Sequence, residues 1–156
     1  LGSFYSKAGK PKKMANMPDT VYAYEPKQFN TIVTTLDTGK VVNKKIISNG
    51  DSMSQGSKYL AFITGDRPLG VMTNPAINDG SVCVVVKESF GNCFVPFLTQ
   101  NYQKVYVIDY RYFSKIDSRN LIKFVEDTKA QDVIFINNIS ATRNKSLVNK
   151  IGSLIG

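Results

Sequence analysis

The stretch Val82–Phe90, VCVVVKESF, decides the fold of this sequence. Its first five residues form a continuous apolar run rich in β-branched side chains, which is typical of a strand buried on both faces of a parallel sheet. The run stops at Lys87, and the following segment, GNCFVPFLTQN, places apolar residues at helical spacing. Ser89 is therefore predicted at the turn from a strand into a helix, at the carboxyl edge of the sheet. Open α/β sheets place their ligand sites on that edge.

The sequence after this stretch alternates strands and helices with short connections. This pattern predicts a parallel βαβαβ core over residues 81–156. Ser118 is the expected N-cap of the second helix, and Leu121, Ile122 and Val125 are its expected apolar face. The predicted elements are strand Val82–Val86, helix Asn92–Asn101, strand Lys104–Asp109, helix Asn120–Lys129, strand Asp132–Ile136 and helix Leu147–Leu154.

The N-terminal third has a different pattern. Residues 1–19 are rich in Gly, Lys and Pro and are predicted to form a loop or arm. Residues 20–156 are predicted to form one α/β domain, in which residues 20–50 add antiparallel strands outside the main sheet. These strands are expected at Thr20–Tyr24, Phe29–Leu36 and Lys40–Ile47, with a turn at Asp37–Gly39, and a further short strand at Leu69–Met72.

Composition indicates a globular chain with a basic surface. The 156 residues are 42% hydrophobic and 21% charged, which suits a single core, and no apolar run approaches the length of a transmembrane helix. The start of the chain has no apolar stretch, so no signal peptide is expected within it. The net charge of +8 indicates either a solvated lysine-rich surface or attraction to a polyanion. No nucleic-acid motif accompanies the charge, and nucleic-acid binding would show a steep loss of affinity with salt.

The two cysteines are predicted to be separate buried thiols. Cys83 lies on the predicted strand and Cys93 on the helix after it, and a disulfide between them is the alternative. Two cysteines without any histidine do not make a typical zinc site, so we expect no metal and no other cofactor.

The string KESFGNCFVPFL, residues 87–98, resembles the pattern K-D-S-Y-x-N-x-F-V-P-F-L of the DHHW family. These are bacterial envelope proteins related to the SGNH-like domains of the alginate acetylation machinery. The segment DYRYF, residues 109–113, resembles the family's D-x-R-Y-F, and Glu88 stands where the family usually has Asp. The resemblance is good over residues 81–138 and loose elsewhere. It implies part of a three-layer SGNH-like fold with an antiparallel β addition, and a location in the cell envelope outside the cytoplasm.

The resemblance also defines a candidate site at the carboxyl edge. Ser89 would be the catalytic nucleophile, and the backbone N–H of Phe90 or Gly91 would be an oxyanion donor. An asparagine is a second donor in SGNH proteins, and Asn138 fits that role better than Asn92. Arg111, following Asp109, would bind a carboxylate or phosphate of a glycan. The structural alternatives are a serine cap, a mutual Asp109–Arg111 pair and asparagines that only turn the chain. Asp66 could orient a group in the site, but we interpret it as a residue that caps a turn.

Histidine and tryptophan are both absent from the chain. The DHHW family takes its name from an Asp-His-His-Trp motif, and a serine nucleophile needs a base to accept its proton. The opening LGSFYSKAGK resembles the family's segment shortly after that motif. We therefore expect the C-terminal part of an esterase or polysaccharide O-acetyltransferase, inactive as this isolated chain. A truncated or inactive copy is the alternative to a part of a longer protein.

A binding or structural module is the competing hypothesis. The edge of the sheet would then hold a polysaccharide or another anionic envelope polymer without chemistry. Phe90, Tyr110, Tyr112 and Phe113 lie near that edge in the sequence, where aromatic rings could stack on sugars or pack in the core. The oligomeric state leaves no signal in the sequence.

Overall fold

The structure is a computed structural model and describes residues 3–18, 20–25, 32–35 and 45–156. At its centre lies a five-stranded mixed sheet with the strand order β1-β2-β4-β3-β5. β3 runs parallel to β4 on one side and to β5 on the other, whereas β1 and β2 pair in antiparallel fashion. The predicted α/β class and the three parallel strands are confirmed. The strands are β1 (Ile32–Thr35), β2 (Leu69–Thr73), β3 (Val82–Lys87), β4 (Lys104–Asp109) and β5 (Asp132–Ile136).

Short helices connect and flank the strands. Only α4 and α6 exceed five residues among the described α-helices. The α-helices are α1 (Ser3–Lys7), α2 (Lys12–Asn16), α3 (Val95–Leu98), α4 (Leu121–Thr128), α5 (Ile139–Thr142) and α6 (Lys145–Ile155). Single 3₁₀ turns lie at Gly50–Ser52, Lys58–Ala61, Ser89–Cys93 and Phe113–Lys115.

The core lies on both faces of the sheet because the side chains of β3 alternate between them. On one face, Cys83 and Val85 pack with α3 and with apolar residues of the segment 46–63. On the other face, Val84 and Val86 pack with α4, α6 and Phe113. All four of these β3 side chains are fully buried. The continuous apolar run therefore marks the central strand of the parallel part, as its pattern predicted.

The N-terminal predictions were partly wrong. Residues 1–19 were expected as a loop, but they contain the two five-residue helices α1 and α2. Thr20–Tyr24 is not a strand, and its large side chains are exposed, so no packing fixes an extended conformation there. β1 falls within the predicted strand Phe29–Leu36, but it pairs with β2 and therefore belongs to the main sheet rather than to an addition outside it. The predicted turn Asp37–Gly39 and most of its partner strand Lys40–Ile47 lie outside the described residues.

The helix after Ser89 is shorter than predicted. Instead of one helix over Asn92–Asn101, a 3₁₀ turn at Ser89–Cys93 is followed by the single turn of α3, which has Pro96 at its start. The apolar residues at helical spacing are Phe94, Phe97 and Leu98. Leu98 packs against the sheet together with Val95, whereas Phe94 and Phe97 are 42% and 54% exposed. The shift of the buried face follows from the change between helix types, since 3₁₀ and α-helices rotate successive side chains by different angles.

The start of α4 also differs from the prediction. Asn120, not Ser118, is its N-cap, because the Asn120 side chain accepts a hydrogen bond from the N–H of Lys123 at 2.9 Å. The buried face is formed by Leu121 and Phe124, and Ile122 is 55% exposed. Both asparagine and serine suit an N-cap, so residue type alone did not separate the two positions.

The two cysteines are free and lie in different environments. Cys83 is buried as predicted, whereas Cys93 is exposed, which corrects the expectation of two buried thiols. Burial raises the pKa of the Cys83 thiol to about 11. Cys83 is therefore a core residue that stays protonated at neutral pH.

Candidate active site at the carboxyl edge of the sheet

The parallel register brings the ends of three strands to one edge. Lys87 at the end of β3 is level with Asp109 at the end of β4 and with Ile136 at the end of β5. The residues that end or directly follow each strand therefore share this edge: Lys87–Ser89, Asp109–Arg111 and Asn137–Asn138.

Ser89 begins the 3₁₀ turn that follows β3 and is half-buried. Its hydroxyl Oγ donates a hydrogen bond to Oε2 of Glu88 at 3.1 Å. The neighbouring Phe90 is 58% exposed, so the turn presents this region at the surface. A hydroxyl at such an edge is placed to meet a ligand from solvent.

Glu88 links Ser89 to the end of β5. Its side chain is 6% exposed, and its Oε1 accepts a hydrogen bond from the backbone N–H of Asn138 at 2.9 Å. One buried carboxylate thus holds the serine hydroxyl with one oxygen and the β5 loop with the other. Glu88 was noted only as a departure from the family pattern, although an acidic residue directly before Ser89 was the available signal.

Asn138 reaches this cluster through its backbone. Its side-chain Oδ1 accepts a hydrogen bond from the N–H of Ser140 at 2.7 Å and so caps α5. An oxyanion role for Asn138 would use its side-chain amide, whose oxygen is fixed by this cap. The adjacent Asn137 has a buried Oδ1 with no hydrogen-bond partner among the described residues.

Gly91 and Asn92 are the buried residues of the turn Ser89–Cys93. The Gly91 N–H donates to the carbonyl oxygen of Glu88 at 3.0 Å, so this candidate oxyanion donor has a partner inside the turn. Asn92 is fully buried, and its Nδ2 donates to Oδ1 of Asp66 at 2.8 Å. The Asn92 amide nitrogen is therefore held by the carboxylate of Asp66, which belongs to a charged cluster.

That cluster consists of two cations and two carboxylates, named here the ionic cluster: Asp66, Lys87, Asp109 and Arg111. Lys87 and Asp109 are both fully buried, and Lys87 Nζ lies 3.2 Å from Asp109 Oδ2 and 3.4 Å from Asp66 Oδ1. Arg111 donates Nε to Asp109 Oδ1 at 2.8 Å and its NH2 nitrogen to Oδ2 at 2.6 Å. The same NH2 nitrogen lies 2.8 Å from Asp66 Oδ2.

The contacts within the ionic cluster favour the charged forms of Arg111 and Asp66. The hydrogen bonds from Arg111 to Asp109 are the largest factor that raises the pKa of Arg111. Burial alone would raise the pKa of Asp66, but the Asn92 hydrogen bond, the Lys87 charge and the Arg111 contacts together lower it. The interpretation of Asp66 as a mere turn residue was therefore wrong, since it joins the loop before β2 to the ends of β3 and β4.

Arg111 is less available to a ligand than its sequence suggested. Its guanidinium is held by both Asp109 and Asp66, and its side chain is 19% exposed. This guanidinium lies over the Tyr112 ring, 5.1 Å from the ring centroid, and the Lys115 ammonium lies 5.5 Å from the same centroid. A substrate anion would have to compete with two carboxylates for Arg111.

The aromatic residues near the edge divide into two groups. Tyr110 and Phe113 are buried, whereas Phe90 is exposed. Burial and then the negative charge of Glu88 raise the pKa of Tyr110, so its phenol stays protonated at neutral pH. In the part of the chain that the structure describes, no group of three or more metal-ligating side chains converges. No helix of that part is long and apolar enough to cross a membrane.

The structure thus combines a mixed sheet with a polar carboxyl edge that carries the Ser89 hydroxyl and the ionic cluster. A family model described as DHHW protein matches residues 1–108, and the chain belongs to this family. The match includes Ser89 and its turn but ends before Asp109, so the DYRYF segment lies beyond it. No curated protein matches the chain.

Solved structures share the fold. A DHHW family protein from Eubacterium siraeum aligns with a TM-score of 0.75 and 22% identity, over 98% of this chain and 49% of that chain. Two structures of PatB1 from Bacillus cereus, one of them with a sulfonyl adduct, align with a TM-score of 0.62 and 22% identity. They cover 80% of this chain and 42% and 41% of their own chains. This chain therefore spans at most about half the length of these solved relatives.

Proposed function

We propose that this chain is the serine-bearing part of a bacterial envelope SGNH-like esterase or polysaccharide O-acetyltransferase. The observation that carries the proposal is Ser89 Oγ, which begins a helical turn at the carboxyl edge and is oriented by the buried Glu88 carboxylate. The DHHW membership supports the assignment, and so does the sulfonyl adduct on a protein of the same fold. Sulfonyl groups attach to activated nucleophiles, a behaviour expected of a catalytic serine.

The chemistry would be transfer of an acyl group through Ser89. Oγ attacks the acyl carbonyl carbon while a base takes its proton. The tetrahedral intermediate then collapses, the base returns that proton to the leaving oxygen, the donor alcohol departs, and the acyl group remains on Oγ. A glycan hydroxyl or water then accepts it in a second attack. Phe90 N–H lies beside the serine and is the backbone donor assigned to the oxyanion, because the Gly91 N–H is used inside the turn.

A base has to come from outside this sequence, which contains no histidine. Glu88 accepts a hydrogen bond from the Ser89 hydroxyl and so orients it, whereas the proton acceptor of a serine triad is a histidine imidazole. We therefore assign the Asp and His of the triad to a segment outside this sequence. The DHHW family protein of known structure is about twice as long as the part that this chain matches. In this view the isolated chain has the nucleophile and its orientation but lacks proton transfer.

Chemical rescue with imidazole tests this assignment. The chain is incubated with a fluorophosphonate probe, with and without imidazole, and labelling is followed by intact mass. We expect little labelling without imidazole and faster labelling with it, because imidazole in solution replaces the missing base. The rescued labelling should disappear in Ser89→Ala and persist in Ser146→Ala, whose serine is exposed on α6.

The competing function is a non-catalytic module that binds glycan or another polyanion. It is favoured by three phenylalanines exposed beside Ser89 (Phe90, Phe94 and Phe97), since exposed rings can stack on sugars. A folded chain that shows no Ser89 labelling at any imidazole concentration would contradict the enzyme proposal and support this module. Labelling that is equally fast without imidazole would contradict the claim that the chain lacks a base.

A further inference from the structure

The fifth strand, β5, has the sequence of an interior strand but lies at the edge of the described sheet. Its residues Asp132–Ile136 read DVIFI, and four of the five are large and apolar. A continuous apolar run is typical of a strand that is buried on both faces of a parallel sheet. The strand order nevertheless gives β5 a neighbour on one side only, which is β3. The sequence of β5 therefore indicates a second neighbour that the described residues do not supply.

The exposed apolar side chains of β5 lie on one face of the sheet. Val133 and Phe135 are level with Val84 and Val86 of β3, so all four share the face that α4 and α6 cover. The two β3 side chains are fully buried, whereas Val133 and Phe135 are 41% and 44% exposed. Helices α4 and α6 therefore cover this face fully at β3 and only partly at β5. An apolar strip is left uncovered along the open edge.

The backbone of β5 also presents hydrogen-bonding groups to the open edge. The N–H of Gln131, directly before the strand, donates to the carbonyl oxygen of Val82 at 3.0 Å. Because successive N–H groups of a strand point to opposite sides, those of Asp132, Ile134 and Ile136 point away from β3. No strand of the described residues pairs with that side. Natural edge strands are commonly protected by Lys or Pro, and β5 contains neither.

The length of a solved relative indicates where the missing neighbour comes from. The DHHW family protein from Eubacterium siraeum matches 98% of this chain with only 49% of its own. About half of that protein therefore lies outside the fold that it shares with this chain. A second copy of this chain is a weaker candidate. Two copies joined only through five-residue edges, each about 17 Å long, would bury less than the roughly 1,200 Å² of a stable interface.

We propose that β5 is the docking edge for an apolar β-strand that belongs to a longer protein and lies outside this sequence. That strand pairs with the outward N–H groups of β5 and covers Val133 and Phe135. Since neighbouring strands lie about 5 Å apart, one end of the docked strand reaches the carboxyl edge roughly 10 Å from the end of β3. The pairing itself does not depend on the reactivity of Ser89. Only the position of the strand beside a catalytic site rests on the proposed function.

Hydrogen exchange, measured by NMR on this chain and on the longer natural protein that contains it, tests the pairing. In this chain we expect the amides of Asp132, Ile134 and Ile136 to exchange freely. The amides of Val133 and Phe135 should be protected, because they face β3. In the longer protein the three outward amides should exchange at least roughly a hundredfold more slowly, since a paired amide exchanges only when its strand opens.

Phe135→Lys tests the apolar contact. Because Phe135 is partly exposed in this chain, the lysine reaches solvent and the melting temperature should fall only slightly. In the longer protein the lysine would be buried against the docked strand, so the melting temperature should fall several times further. Ile122→Lys is the matched control, because Ile122 is an exposed apolar residue of α4, and it should affect both proteins equally.

Several outcomes would overturn the proposal. Outward amides that are already protected in the monomeric chain would show that this chain covers its own edge. Protection that appears only as this chain dimerises, followed by sedimentation, would assign the edge to a second copy. Unprotected outward amides in the longer protein, equal effects of Phe135→Lys on both proteins, or the absence of any longer protein would also contradict it. Labelling of Ser89 is a separate measurement, so a failure of the pairing is distinguished from a failure of the proposed function.

Discussion

At the scale of single residues, the turn that begins at Ser89 depends on the close packing of Gly91 against the Lys87 side chain. A Cβ built on Gly91 would lie 2.6 Å from Cβ of Lys87 and 3.1 Å from its Cγ. The first of these atoms is attached to the backbone of β3 and has little freedom to move. The glycine is therefore required by space, since its φ is not in the left-handed region.

Gly91→Ala should lower the free energy of unfolding by about 1–3 kcal/mol, the usual cost of overpacking. The melting temperature of a chain this size would fall by roughly 2–4 °C for each kcal/mol. Gly152→Ala is the matched control, because a Cβ there meets nothing within 4 Å and the position lies inside α6. It should raise the free energy of unfolding by about 0.5–1 kcal/mol, and equal effects of the two variants in thermal melts would contradict the packing argument.

The residues of the site were only partly predictable, for a physical reason. Ser89 and Asp109 follow apolar strands, and strand ends can be recognised from local pattern. The contacts of Asp66 to Lys87 and Asn92 join residues 21 and 26 positions apart in the chain, and no local pattern encodes such a separation. The double role of Glu88 was equally hidden, because the Asn138 N–H that it binds lies 50 positions further on.

At the scale of elements, the start of α4 gives a direct test of capping. Asn120→Ala removes the side-chain acceptor of the Lys123 N–H and should cost about 1 kcal/mol of stability. Ser118→Ala, two residues earlier, should change stability by less than about 0.5 kcal/mol, because surface substitutions without such a contact have small effects. Urea unfolding curves of the two variants check both values, and a larger loss in Ser118→Ala would restore the original N-cap prediction.

The strands were predicted best where a run of apolar residues alone identifies them. The bounds of β3, β4 and β5 agree with the prediction to within one residue, because long apolar β-branched runs have few alternatives. Position in the sheet is not local, however. β5 is as apolar as β3, yet it lies at the edge of the described sheet and leaves Val133 and Phe135 41% and 44% exposed.

At the scale of the whole molecule, the buried charges make stability depend on pH in the acid range. The pKa of Asp66 is lowered by Asn92, Lys87 and Arg111 against the opposing effect of burial, and the Arg119 hydrogen bonds lower the pKa of Asp117. A carboxylate with a lowered folded-state pKa stabilises the fold fully above its unfolded pKa of about 4, and the stabilisation is lost as the pH falls through the folded value. The free energy of unfolding should therefore be nearly constant from pH 7 to pH 5 and fall below about pH 4.

Asp66→Asn provides the variant for this prediction. It should be less stable than the wild type at pH 7 and lose less stability between pH 5 and pH 2, since one linked proton is removed. Asp51→Asn, whose carboxylate is 96% exposed, should retain the wild-type slope. Urea titrations at each pH measure the slopes, and identical slopes for Asp66→Asn and the wild type would exclude Asp66 as a source of acid lability.

The fit of Lys87 beneath Gly91 also has a genetic consequence. A larger residue at position 91 is compatible with the fold only if the side chain at position 87 becomes shorter. A shorter side chain at position 87 no longer reaches the carboxylates of Asp109 and Asp66, which then lose an ion-pair partner. Second-site suppressors of a Gly91 substitution should therefore arise as combinations that shrink residue 87 and neutralise a carboxylate together. The positions beneath the serine turn are thus expected to vary as one epistatic group rather than one at a time.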